Sequence, residues 1–83
     1  MILKTKGVSI DILSGASSVA DAVLVSVINT NTVPALITNS NGNNIWIAAG
    51  ERVVMKKEYD ETFLASGTGV TEEVWATPVG YLA

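Results

Sequence analysis

Apolar and polar residues alternate with a period of two through most of the chain, and each alternating run is cut short by Gly, Asn, Asp or Ser. Successive side chains of a strand point to opposite faces, so this rhythm predicts short β-strands joined by tight turns. It is densest from residue 45 to residue 81, where IWI, RVVM, TFLA and EEVWATPVGYL are separated by AAGE, KKEYDE and SGTG.

The runs predict strands over residues 8–13, 20–29, 33–38, 45–47, 52–57, 62–65 and 73–82. In the second, Val23, Val25 and Val27 share one face and Leu24, Ser26 and Ile28 the other, as expected of a central strand with apolar groups on both sides. A short helix over residues 19–23, capped by Ser18, competes with its beginning, and the β-branched residues that follow argue against extending it. Pro34 and Pro78 remove ladder donors. Pro34 therefore marks an edge strand or a strand that begins pairing after it, and Pro78 an edge or a bulge. Asn41-Gly42 predicts a hairpin tip, and Ala48-Ala49-Gly50-Glu51 a reversal with Gly50 at its third position.

These elements predict a single all-β domain over residues 1–83, a small antiparallel β-sandwich or partly open barrel of six to seven short strands. Residues 1–7 form an N-terminal arm or a frayed end. Phe63, Met55, Trp46 and Trp75 are expected to share the core, with an interface as the competing role for the two tryptophans.

At 83 residues, such a domain buries about 60–65% of its unfolded surface, so its core is thin. With no Cys and no His, neither disulfides nor an imidazole or thiolate metal site can reinforce it, which leaves self-association as the natural supplement. Hydrophobic residues make up 48% and charged residues only 16%, the latter below the roughly 25% usual for soluble domains, which predicts apolar surface with a partner. No apolar run approaches the ~20 residues of a membrane-crossing helix, and Ser9 and Asp11 interrupt what would be the core of an export signal.

The net charge of −3 argues against nucleic acid. The local basic cluster of Arg52, Lys56 and Lys57 is flanked by Glu51 and Glu58 and reads as a solvated strand edge. Enzymatic chemistry has little to draw on. Glu72 and Glu73 are adjacent and point to opposite faces of a strand, and Glu58, Asp60 and Glu61 match no calcium-loop spacing. The serines of residues 14–18 have no accompanying base. The residues therefore predict no catalytic, cofactor or metal site. The candidates are interface residues: Trp46, Arg52, Lys56, Tyr59, Trp75 and Tyr81.

Three segments carry a resemblance: Pro34-Ala35-Leu36-Ile37-Thr38-Asn39 before the Asn-Gly turn, IAAGERVVMKKEYDETFLAS, and the closing VWATPVGY. Together, over about residues 23–81, they resemble the small virion structural proteins of tailed bacteriophages, particularly marine and cyanobacterial phages. The resemblance implies a non-enzymatic, high-copy β-sandwich in the virion, assembled in the host cytoplasm. Its partners would be other virion proteins, the major capsid protein first, and its role decoration or cementing of the capsid lattice. A neck, tail or baseplate adaptor is the alternative, and a glycan-binding or small enzymatic module a more distant one.

Overall fold

The computed structural model describes residues 2–82, and those residues form eight strands and no helix. The strands are β1 (Ile2–Thr5), β2 (Ile10–Asp11), β3 (Leu24–Asn29), β4 (Ala35–Asn39), β5 (Asn44–Ile47), β6 (Arg52–Lys56), β7 (Phe63–Ser66) and β8 (Val74–Leu82). They make two antiparallel sheets, β1-β8-β3-β6 with β2 also paired to β8, and β5-β4-β7. The architecture is a small β-sandwich that does not close into a barrel.

Alternation decides what lies between the sheets. Val25 and Val27 of β3 pair with Met55 and Val53 of β6 on one side and with Pro78 and Ala76 of β8 on the other, so all six share the inner face. Ala35 and Ile37 of β4, Ile47 of β5 and Phe63 and Ala65 of β7 supply the opposing layer. Burial of these apolar groups is the main favourable term in such a thin core.

Residues 12–19 join the layers. The Ile12 amide donates to the Val74 carbonyl of β8 at 3.0 Å, while its carbonyl accepts from the Ala65 amide of β7 at 3.0 Å. Ser17 then bridges to Phe63 in both directions. Ile12 and Val19 drop into the core from this strap, which also covers the outer edge of β7.

Several expectations need correction. The strand expected over residues 8–13 shrinks to Ile10–Asp11, and Val8 is 78% exposed, because Pro78 interrupts pairing along that edge of β8. β2 pairs below Pro78 and β1 above it, with the Lys6 amide donating to the Pro78 carbonyl between them. Residues 2–5, expected as an arm, instead pair with residues 79–82. Met1, also part of that expected arm, lies outside the described residues, while Lys6 and Gly7 lie against Pro78.

The strand expected from residue 20 begins only at Leu24. Val19, Ala20 and Asp21 have φ of 53°, 55° and 56°, a left-handed turn where a right-handed helix was the competing expectation. The Ser17 hydroxyl accepts from the Val19 amide at 3.0 Å, and the Ala22 amide donates to the Val19 carbonyl at 3.2 Å, which together with burial of Val19 holds the turn in a costly conformation.

The prolines sort by position. Pairing in β4 starts after Pro34, as expected, but β4 is the central strand of its sheet. β8 is also central, and Pro78 is accommodated because its neighbouring edge is broken there. The Asn-Gly hairpin forms as expected, with Gly42 at φ 84°. The 48–51 reversal is closed by the Glu51 amide on the Ala48 carbonyl at 3.0 Å.

Candidate interface surfaces

The two sheets leave two outer faces of different chemistry. On the three-stranded sheet, pairing brings Leu36 of β4 between Trp46 of β5 and Ser66 of β7, and Thr38 between Asn44 and Leu64. Trp46 is 58% exposed and Leu64 is exposed as well, so this face presents an indole and two leucines with no charged side chain among the paired residues. A shallow depression lined by Pro34, Trp46 and Thr68 continues it. The expected core role of Trp46 is thus overturned. A sheet of three strands has one covered face, and Ile45 and Ile47 point toward that side while Trp46 points away.

The five-stranded sheet presents Arg52, Val54 and Lys56 of β6, Leu24, Ser26 and Ile28 of β3, and Trp75 and Thr77 of β8. Arg52 Nη1 donates to Ser26 Oγ at 2.8 Å, laying the arginine stem over a hydroxyl that is thereby almost fully buried. Ser9, Ile28, Arg52, Trp75 and Thr77 line a shallow depression, and the hydroxyls of Ser9 and Thr77 bond to each other at 2.7 Å. Trp75 is half-buried on this outer face, so it too lies outside the inter-sheet core.

Of the six candidates, only Arg52 and Trp75 are therefore brought together. Lys56 lies at the other end of β6, Tyr81 pairs with Leu3 beyond Pro78, Tyr59 stands exposed in the turn after β6, and Trp46 is on the opposite face. Leu36 and Leu64 were missed. The Asn-Gly signal alone did not place Leu36, since a two-residue turn at Asn41-Gly42 would set it opposite Ile47; the three-residue loop 40–42, closed by the Asn39 amide on the Asn43 carbonyl, sets it opposite Trp46.

Lys57 behaves unlike the surface basic residue expected. It is 3% exposed, and its Nζ donates to the carbonyls of Glu58 at 3.0 Å and Tyr59 at 3.3 Å. Burial lowers its pKa from 10.5, opposed by the nearby charges of Asp21, Glu61 and Asp60. Glu61 is itself committed to the turn, accepting from the Glu58 amide and from Asn41 Nδ2, both at 2.7 Å.

Among the described residues, no group of three or more acidic side chains is arranged to hold a metal ion, and no helix is long and apolar enough to cross a membrane. Comparison with protein-family models, with curated proteins and with solved structures found no match.

Proposed function

We propose that the chain is a non-enzymatic structural subunit of a tailed-phage virion that decorates or cements the capsid lattice. The observation that carries this reading is the uncharged outer face of the three-stranded sheet. Trp46, Leu36 and Leu64 sit there side by side, in a chain with little charge overall. Exposed Trp46 and Leu64 about a half-buried Leu36, rimmed by Asn, Ser and Thr, have the composition of a protein-docking surface, and an exposed tryptophan is a typical anchor for one. A neutral face of this kind suits a neutral apolar patch on a protein lattice, with the major capsid protein as first partner. The resemblance of residues 23–81 to small virion proteins supplies the setting.

Addition of the purified chain to capsid shells lacking it tests the reading. Saturable binding, with a rise in the temperature at which the shells disrupt, supports it; shells that neither bind the chain nor gain stability remove it. A ring of copies at one vertex would favour the neck or tail adaptor. The depression holding Trp75, Arg52, Ser9 and Thr77 favours glycan binding as a second reading, because an indole with nearby hydroxyls and a guanidinium suits a sugar. Glycan-array signal lost on Trp75→Ala would select it.

A further inference from the structure

Five strands lie at the edges of the two sheets, and four of them are protected. β1 carries Lys4, β2 is only two residues long and carries Asp11, β6 carries Arg52 and Lys56, and the edge of β7 is covered by the strap through Ile12 and Ser17. β5, with the sequence Asn44-Ile45-Trp46-Ile47, has no charge and no proline, and no segment among the described residues pairs with its outer edge.

Hydrogen-bond alternation shows which of its backbone groups are free. Asn39 donates its amide to the Asn43 carbonyl at 2.9 Å, so odd-numbered residues of this hairpin face each other across it. The Ser40 amide bonds the Thr62 carbonyl at 3.0 Å, which places the even-numbered residues of β4 toward β7. In β5, Ile45 and Ile47 are therefore bonded to β4, and the N–H and C=O groups of Asn44 and Trp46 point outward. Asn44, Ile45 and Trp46 are all exposed, whereas Ile47 is fully buried.

We infer that β5 pairs with β5 of a second copy, antiparallel about a two-fold axis through Ile45. In this register Asn44 of each copy lies opposite Trp46 of the other, and the four outward backbone groups of each strand are matched by the four of its partner. Centring the axis on Trp46 would bring Asn44 against the turn that begins at Ala48. Ile45, 47% exposed, then meets its own copy on the inner side, beside an opening lined by Ile37, Met55 and Phe63 together with Asn39, Asn43 and Lys56. The result is a continuous six-stranded sheet whose outer faces, both bearing Trp46, run together. An isologous contact of this kind closes at two copies. It does not rest on the virion reading.

The chain has no cysteine, so single substitutions report register directly. Directly opposed residues of a non-bonded antiparallel pair lie about 4.5 Å apart at Cα, within disulfide range. With oxidised glutathione, Ile45→Cys is expected to form a covalent dimer at least about tenfold faster than Leu64→Cys, which sits on the far strand of the same sheet. Sedimentation of the native chain up to about 100 μM is expected to show a monomer–dimer equilibrium, and Ile45→Lys, which sets two ammonium groups against each other, to abolish it with the circular dichroism unchanged. A native chain that is monomeric throughout, or cross-linking no faster at residue 45 than at residue 64, overturns the inference.

Discussion

Asn29 Oδ1 accepts a hydrogen bond from Asn31 Nδ2 at 2.9 Å, and both side chains are buried at one end of the sandwich. The pair is a junction. Asn29 Nδ2 reaches the carbonyls of Val33, Ile47 and Ala48, tying the end of β3 to the start of β4 and the end of β5. Asn31 Oδ1 accepts the amides of Thr71 and Glu72 ahead of β8. No buried side-chain polar atom among the described residues lacks a partner, so this network is fully satisfied.

Removing one member leaves buried groups unpaired. Asn29→Ala is expected to cost about 2–4 kcal/mol and Asn29→Asp more, because a carboxylate would face three carbonyl oxygens. Urea midpoints check this; a loss below about 0.5 kcal/mol for either variant contradicts the junction role.

Gly7 lies against the Pro78 ring, where an added Cβ would sit 2.7 Å from Cγ. Gly7→Ala is expected to destabilise the protein by about 1–3 kcal/mol, and Pro78→Ala to recover part of that in the double variant. Additive effects of the two substitutions in thermal unfolding would show that the ring is not the cause.

Ala20 is exposed and sits at φ 55° in the middle of the left-handed turn. A Cβ there costs the folded state about 1–2 kcal/mol, more than glycine costs through the unfolded chain. Ala20→Gly is therefore expected to raise stability by roughly 0.5–1 kcal/mol, against the usual effect of adding glycine. A lower chemical-denaturation midpoint for this variant would contradict the turn geometry.

Lys57 gives a pH dependence with a definite sign. Its folded pKa is lowered by burial, so at neutral pH the unfolded chain holds the proton more tightly, and the charged form costs stability. As pH rises through the folded value toward 10.5 the folded state releases that proton first, and the penalty falls. Stability of the native protein relative to Lys57→Met is expected to climb across that alkaline window. Parallel pH profiles for the two proteins would refute it.

Much of the fold was legible because it is local. The Asn-Gly hairpin and the Val53/Met55 and Phe63/Ala65 alternations are written in neighbouring residues. What escaped depends on distant partners. Period two says that Trp46 and Ile45 face opposite ways, but the number of sheets covering each face decides which is buried. The β1–β8 pairing joins the ends of the chain, and nothing adjacent to residues 2–5 announces it. The Val19–Asp21 turn contradicts local preference outright and is held by the burial of Val19 and its serine contacts. The site divided in the same way: Arg52 and Trp75 met across three strands, while Trp46 went to the opposite face with Leu36 and Leu64.

Electron-microscopic imaging of purified virions, with the chain located and its copies counted, separates capsid decoration from every other role. Many copies are expected to be spread over the head, each with the Trp46, Leu36 and Leu64 face turned onto the capsid lattice. Absence of the chain from the particles, confinement to one vertex, or a Trp46 face turned to solvent in every copy would contradict capsid decoration.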